Sequence, residues 1–208
     1  MYTAFNRSNF QQEIFELYHD LITFGTAAMF IEEDDEDFIK FSTRHIDEVY
    51  IAENDKGRID TIYRRFNLSA RAVVQKFGAS VSQDILVLEK KDPYKEVEII
   101  HAVYPRADFN PDKKDKKNMP FESVYMEYKN GNELSVSGFK EFPFVVPRYL
   151  KASHEIYGRS PAMTALPDVK MLNEMVKTTI KAAQKQVDPP LLVPDDGFLL
   201  PVRTVPGG

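Results

Sequence analysis

The sequence predicts an α+β fold, with a body of helices and antiparallel strands followed by a long helix and a short β-type segment. Helical stripes of apolar residues alternate with β-like runs over residues 9–150. Two turn-forming sequences, at residues 53–57 and at Asn130-Gly131, separate β runs in the manner of hairpins. A stripe of helical period then covers residues 161–187. We therefore divide the chain at residues 1–150, 151–188 and 189–208.

The first predicted element is an amphipathic helix over residues 9–24. Ser8 or Asn9 can cap its start, and Gly25 can close it because glycine enters the left-handed conformation readily. Its apolar residues share one face, namely Phe10, Ile14, Leu17, Leu21 and Phe24. A buried strand at 26–31 is expected next.

An acidic run over residues 32–37 follows that strand. Its spacing lacks the pattern of a calcium loop, so we interpret it as a solvated turn rather than a cation site. The β-rich stretch after it contains a hairpin. Its two strands, at 44–52 and 58–66, flank the turn-forming sequence at 53–57.

The second half of the body is predicted to begin with a helix that Ser69 caps and Gly78 closes. The next segment, 82–90, is a helix or a strand, because its apolar residues follow neither period cleanly. The predicted bounds are then a strand at 94–104, a polar loop at 106–119, hairpin strands at 121–129 and 133–137, and an extended segment at 142–148.

The last predicted helix covers residues 161–187. Ser160 is a good N-cap residue, and a helix tolerates Pro161 in its first turn. Pro167 predicts either a kink or a second helix start. Asp188 ends the helix because it precedes Pro189, and a residue before proline is pushed out of helical space.

Two faces of this helix differ in character. One carries an apolar stripe that needs a partner, most simply another copy of the chain: Val169, Leu172, Met175, Val176, Ile180, Ala183 and Val187. The other carries a lysine edge: Lys170, Lys177, Lys181 and Lys185. A solvent-facing side is the plainer interpretation of these lysines.

Composition and motifs argue against several classes of function. The 208 residues contain no cysteine and have a formal net charge of −5, whereas a simple DNA-binding protein is usually basic. Phosphate-binding, dinucleotide-binding and nucleophile motifs are absent from the sequence. Its histidines lack metal-ligand spacing, so we interpret them as ordinary surface or core residues: His19, His45, His101 and His154. We nominate no catalytic, cofactor-binding or metal-binding residue.

The motif Tyr157-Gly158-Arg159-Ser160-Pro161 and the helix after it resemble the head-to-tail connector (portal) proteins of short-tailed bacteriophages. The resemblance extends through VDPPLLVPDDG after the helix. It also covers SNFQQEIFELYHDLITFGTAAMF, GRIDTIYRRFNLSARAVVQKFG and FPFVVPRYLKASHEIYGRSP, which stand in that order. Four ordered segments span nearly the whole chain, which is more specific than the YGRSP motif alone.

This resemblance implies a dodecameric ring in the virion, at one vertex of the capsid, assembled in the host cytoplasm and needing no cofactor or membrane. Double-stranded DNA would pass through its channel during packaging and ejection. Residues 1–150 would form the wing, 151–188 the stem helix, and 189–208 the start of the clip, which contacts the terminase motor and later the tail adaptor. Capsid or scaffold proteins would surround the ring. The family's members are longer on both sides, so we interpret the chain as a central fragment.

Within such a ring, the apolar stripe would contact the neighbouring subunit and the lysines would line the channel. An alternative from another class is a non-viral α+β module that binds proteins at an exposed sheet edge. A hydrolytic enzyme is a third possibility, but no nucleophile–base pair can be named in its support.

Overall fold

The computed structural model describes residues 2–34, 38–110, 115–187 and 189. The chain divides into two units, Met1–Pro161 and Ala162–Gly208. It combines helices with antiparallel sheets and has a long helix near its C-terminal end, which confirms the predicted fold class. The predicted division at residues 150 and 188 stays a prediction.

The first unit contains helices α1 (Tyr2–Arg7), α2 (Phe10–Phe24), α3 (Ala70–Phe77) and α4 (Gln83–Lys91). Its strands are β1 (Ala28–Asp34), β2 (Phe38–Arg44), β3 (Val49–Glu53), β4 (Ile59–Ser69), β5 (Glu96–Pro105), β6 (Phe121–Glu127), β7 (Glu133–Phe139) and β8 (Phe144–Val145). Helix α5 (Pro161–Val187) begins at the boundary between the units.

The strands form two antiparallel sheets. One has the order β2-β1-β8, and the other is a meander with the order β3-β4-β5-β6-β7. Phe30 and Phe144 from the first sheet pack with Ile62 and Val103 of the second in one buried cluster. This shared core joins the two sheets, because burial of their apolar faces stabilises both at once.

Two further clusters attach the helices to the sheets. Helices α3 and α4 pack Val73 and Ile85 against Phe66 and Ile99 of the five-stranded sheet. Helix α2 packs Leu17 and other apolar residues of one face against strands β1 and β2. The amphipathic pattern predicted for α2 therefore corresponds to the face that packs.

Most of the predicted elements are confirmed. Gly25 closes α2 with φ of 80° and donates its N–H to the Leu21 carbonyl at 3.0 Å. The Ser69 hydroxyl caps α3 by accepting from the Ala72 N–H. The ambiguous segment at 82–90 is helical, and both predicted hairpins are present as β3–β4 and β6–β7.

Two expectations about the segment from β1 to β3 are wrong. Residues 44–48 do not begin the hairpin: β2 ends at Arg44, and a 3-10 turn, Ile46–Glu48, carries the chain to β3. The His45 side chain fixes this turn by accepting from the Asp47 N–H at 3.2 Å. The first residues of the acidic run extend β1 to Asp34 because their backbones pair with β2 while their side chains keep solvent access. Residues 35–37 lie outside the described residues.

Helix α5 is continuous from Pro161 to Val187 with Pro167 inside it, so the predicted second helix start is wrong. Proline's fixed φ is close to the helical value, and its ring removes one backbone donor without requiring the chain to leave the helix. The predicted kink at Pro167 stays a prediction. Of the polar loop predicted at 106–119, residues 111–114 lie outside the described residues. In the described part of the chain, no helix has the length and apolar content needed to cross a bilayer.

Candidate functional site

The YGRSP motif, residues 157–161, is the junction through which the chain enters α5. Gly158 lies directly against Gly25, the residue that closes α2. A Cβ added to Gly158 would lie 2.3 Å from the Gly25 carbonyl oxygen, and one added to Gly25 would lie 2.5 Å from the Ser160 nitrogen. Glycine is therefore required at both positions for the two backbones to touch.

Two short hydrogen bonds fix this contact. The Gly158 N–H donates to the Thr26 hydroxyl at 2.7 Å, and the Ser160 hydroxyl donates to the Thr23 carbonyl at 2.8 Å. Thr26 and Ser160 are buried, so these hydrogen bonds satisfy hydroxyl groups that have little access to water. Ser160 directly precedes α5, as predicted, and its hydrogen bond to Thr23 connects it to the last turn of α2.

Tyr157 attaches the motif to an edge of the five-stranded sheet. Its hydroxyl accepts from the Ile51 N–H at 3.2 Å and donates to the Val49 carbonyl at 3.4 Å. Val49 and Ile51 belong to β3, which lies at one end of the sheet order. Tyr157 therefore occupies backbone groups that an edge strand would otherwise offer to another strand.

Arg159 adds an exposed contact to the junction. Its backbone N–H donates to the Leu150 carbonyl at 2.7 Å, and its side-chain Nε lies 2.8 Å from Glu155 Oε2. The hydrogen bond from Arg159 lowers the pKa of Glu155 below its ordinary value. The Arg159 side chain is largely exposed and that of Glu155 is partly exposed, so this pair contributes little to stability.

A charged cluster holds the segment that precedes the motif. The Lys151 ammonium donates to both carboxylate oxygens of Glu53, at 2.6 and 2.8 Å, and Arg148 also contacts Glu53. Arg148 donates in addition to the carbonyls of Ile156 and Gly57, at 3.1 and 3.2 Å. The hydrogen bonds from Lys151 and Arg148 hold the pKa of Glu53 below its ordinary value. Sequence reasoning missed this cluster because its members are far apart in the chain.

Helix α5 contrasts with the junction, because every residue from 162 to 187 is exposed in the isolated chain. The large side chains of the predicted apolar stripe are 49–65% exposed: Val169, Leu172, Met175, Val176, Ile180 and Val187. Ala183, the remaining member, is also exposed. A contiguous apolar stripe of this kind typically marks an interaction surface.

The predicted lysines lie on the other flank of α5, and all four are exposed: Lys170, Lys177, Lys181 and Lys185. Lys177 Nζ lies 3.0 Å from Glu174 Oε1 one turn earlier. Asp168 and Glu174 are the acidic residues of α5, so its four lysines leave it with positive charge, although the chain as a whole carries −5.

The histidines do not form a site in the described part of the chain. His101 is buried in β5, with Nε2 2.9 Å from the Ser123 hydroxyl and its ring stacked on Tyr125 at 3.9 Å. Burial lowers the pKa of His101 to about 3, so the ring is neutral at pH 7. Within residues 2–34, 38–110 and 115–187, no group of three or more histidines and carboxylates is placed to hold a metal ion.

A long exposed helix with an apolar stripe is typical of a subunit that assembles with other subunits. The comparison with known families agrees with this class. The whole chain, residues 1–208, matches the family described as bacteriophage head to tail connecting protein, and the chain therefore belongs to that family. The resemblance predicted from the four segments is confirmed, and membership of a bacteriophage family argues against the non-viral binding module.

Two curated relatives are similar over the full chain. The portal protein of Salmonella phage epsilon15 is 35% identical over 212 residues, and the probable portal protein of Bordetella phage BPP-1 is 33% identical over 212 residues. Each alignment covers 100% of this chain and 38% of the relative. The chain thus spans little more than a third of the length of these relatives.

Proposed function

We propose that this chain is part of a portal subunit that forms a ring at a capsid vertex and conducts double-stranded DNA during packaging and ejection. The ring would also be the platform on which a packaging motor and tail proteins attach, and it would have no catalytic activity of its own. The family match and the two relatives named as portal proteins support this proposal. The observation that carries it is the division of α5 into an apolar and a lysine-bearing flank, both exposed.

The apolar flank would be the contact with a neighbouring subunit. Fully burying an aliphatic side chain of this size contributes roughly 1.5–3 kcal/mol. The large side chains of the stripe are about half exposed, so further burial would contribute on the order of 5 kcal/mol per helix before the cost of association. A stripe on one side of a helix suits a head-to-tail contact, which closes into a ring by rotation.

The lysine flank would face the DNA channel. A conduit has to let its cargo slide, and each phosphate that a lysine neutralises adds affinity by releasing counterions. Lys177, Lys181 and Lys185 follow one another at intervals of about one turn along α5, and Lys170 lies about two turns before them, in a chain with a net charge of −5. A single row of positive charge in an acidic subunit would attract the DNA backbone without holding it at one position.

The junction would hold the chain in the body of the subunit up to the residue at which α5 begins. The Gly25–Gly158 contact and the hydrogen bonds of Thr26, Ser160 and Tyr157 fix the chain at this point.

Attachment of the partner proteins concerns a different part of the chain. We propose residues 189–208 as the start of the clip, which would meet the terminase motor and the tail adaptor. Apart from residue 189, this segment lies outside the described residues. The dodecameric state and the contacts with capsid or scaffold proteins are likewise proposals that rest on the family.

Electron microscopy of the full-length subunit tests the proposal. We expect closed rings with a central opening wide enough for a DNA duplex. Analytical ultracentrifugation of the same sample should give one discrete oligomer. A full-length protein that stays monomeric under both measurements would contradict the proposal.

A further inference from the structure

Arg64 lies between the two apolar clusters that cover one face of the five-stranded sheet. Its neighbours on that face of β4 are Ile62, which packs against the three-stranded sheet, and Phe66, which packs against helices α3 and α4. The Arg64 side chain therefore faces the line along which these two layers meet. Its guanidinium carbon lies 3.7 Å from the centre of the Phe66 ring, and the side chain is only 12% exposed. Arg64 thus places a fixed positive charge at this line, largely shielded from water.

The three-stranded sheet directs two more basic side chains toward the same line. Arg44 is paired with Ala28, which packs in the core shared by the two sheets, so Arg44 also faces the five-stranded sheet. Lys40 lies four positions earlier on β2 and shares that face. Within the described residues, the Nε of Arg44 is buried and has no hydrogen-bond partner. A buried donor without an acceptor is rare in folded proteins, which indicates that an acceptor belongs here.

Helix α3 contributes a further basic side chain from the opposite side of this line. Lys76 Nζ lies 4.7 Å from the centre of the Tyr125 ring. Tyr125 is paired with His101 in the sheet register, and His101 is paired with Arg64, so the three side chains form one row across the sheet. Lys76 therefore lies above the same row that contains Arg64. We call Arg44, Arg64 and Lys76 the cation seam.

The cation seam carries more positive charge than its own carboxylates neutralise. Burial lowers the pKa of Lys76 below its ordinary value, and the positive charges of Arg44 and Arg64 add to this shift, although Glu32 opposes it. Arg64 Nε lies 2.8 Å from Glu48 Oε2, whereas neither Arg44 nor Lys76 forms an ion pair within the described residues. Like charges that are partly withdrawn from water repel one another, so the seam favours an added anion.

We propose that the cation seam binds a phosphate-class oxyanion. Its cations come from β2, β4 and α3, and a tetrahedral anion offers oxygens to donors that approach from several directions. Guanidinium groups suit such an anion because their forked N–H groups match its oxygens. The anion would supply the missing acceptor for Arg44 and the missing negative charge. This inference does not depend on the proposed ring, because the whole seam belongs to the first unit of one chain.

Isothermal titration calorimetry of the full-length protein with inorganic phosphate tests the proposal. The buffer is free of other oxyanions, and sodium chloride keeps the ionic strength constant. We expect the wild type to bind one phosphate per subunit in the millimolar range or tighter. Lys76→Gln should weaken this binding at least about tenfold, because it removes a charged hydrogen-bond donor. Arg44→Gln should do the same from a different element of the fold.

The matched control is Arg71→Gln, which also removes one positive charge from α3. Arg71 is exposed and lies five positions before Lys76, about 140° around the helix from it. Its phosphate affinity should equal that of the wild type. Absence of phosphate binding by the wild type, or equal affinity in the wild type and Lys76→Gln, would overturn the proposal.

Stability separates an anion site from a purely structural role of these cations. Without phosphate, Lys76→Gln should keep or raise the urea midpoint, because one of the mutually repelling charges is removed. Phosphate should raise the midpoint of the wild type but not that of the variant, since binding stabilises only the folded state that holds the site. A variant that is destabilised in the absence of phosphate and gains as much from phosphate as the wild type would overturn the proposal.

Free phosphate and the phosphodiester backbone of nucleic acid carry the same oxyanion chemistry. Competition with a short DNA duplex at constant ionic strength distinguishes these two sources. A duplex that displaces inorganic phosphate from the wild type would support the proposal with nucleic acid as the source of the anion. Phosphate binding that the duplex leaves unchanged would support it with the free ion as the ligand.

Discussion

The junction and helix α5 are adjacent in the chain but are stabilised in opposite ways. At the junction, Gly158 and Ser160 are fixed by backbone contact and by hydrogen bonds to residues more than 130 positions away. In α5, residues 162–187 are all exposed in the isolated chain. We therefore expect substitutions at the junction to affect folding and substitutions on α5 to affect assembly.

The largest expected effect is that of Gly158→Ala. Its Cβ would lie 2.3 Å from the Gly25 carbonyl oxygen, so one of the two backbones has to move. We expect the free energy of unfolding to fall by at least about 2 kcal/mol, measured by urea denaturation. The matched control is Gly131→Ala, because Gly131 has φ of 65° and no neighbouring atom within 4 Å of an added Cβ. That variant should lose roughly 1 kcal/mol, from its backbone conformation alone. Equal losses in the two variants would mean that the glycine contact is not a constraint.

Lowering the pH should reduce the free energy of unfolding of the first unit, which contains His101. Burial lowers the pKa of His101 to about 3, whereas an unfolded histidine titrates near 6.5. The unfolded state therefore binds the extra proton between these values, and stability falls as the pH falls from 6.5 towards 3. We expect a slope of up to about 1.4 kcal/mol per pH unit from this residue.

The measurement is urea denaturation at several pH values for the wild type and for His101→Gln. The variant should be less stable at pH 7 but should lose less stability between pH 6.5 and 5. An unchanged slope in His101→Gln would contradict the assignment of a neutral buried ring.

The lysine flank of α5 should affect DNA rather than folding or assembly. We expect Lys177→Glu, Lys181→Glu and Lys185→Glu together to preserve ring formation and to reduce DNA packaging several-fold, because the channel surface would repel phosphate. A control variant with arginine at the same three positions keeps the charge and should package DNA normally. Loss of rings in the glutamate variant would instead place these side chains at the subunit contact.

The smallest expected effect is that of Arg159→Ala. The Arg159 side chain is largely exposed, and the backbone hydrogen bond of Arg159 to Leu150 does not depend on the side chain. We expect the urea midpoint to stay within experimental error. A clear loss of stability would show that the motif depends on this arginine as well as on its glycine and serine.

Local sequence patterns were sufficient to predict much of the fold. The apolar periods of α2 and α5, the capping residues of α3 and the turn sequences of the two hairpins are local signals. They predicted those elements correctly. The 3-10 turn after β2 was missed because the His45 side chain, rather than a pattern of apolar residues, stabilises it. Phe15, Tyr18 and Ile22 stand at helical spacing in the sequence, but their exposure depends on which face of α2 packs against the core.

The junction could be predicted only in part. The motif was identified by resemblance, and Gly25 was identified as a helix end. The contact between Gly25 and Gly158 and the cluster of Glu53 with Arg148 and Lys151 depend on how distant segments pack, for which a single sequence carries no local signal. The two flanks of α5 were predicted from helical spacing, and their roles in a ring stay predictions.

Electron microscopy of the full-length protein with Leu172→Asp and Val176→Asp tests most directly whether α5 is an assembly surface. Both side chains are at least half exposed in the isolated chain, so the charges should leave its unfolding midpoint nearly unchanged. We expect the wild type to form closed rings and the variant to remain as folded, unassembled subunits. Rings of equal number and size in the two proteins would show that the apolar stripe is not the contact between subunits.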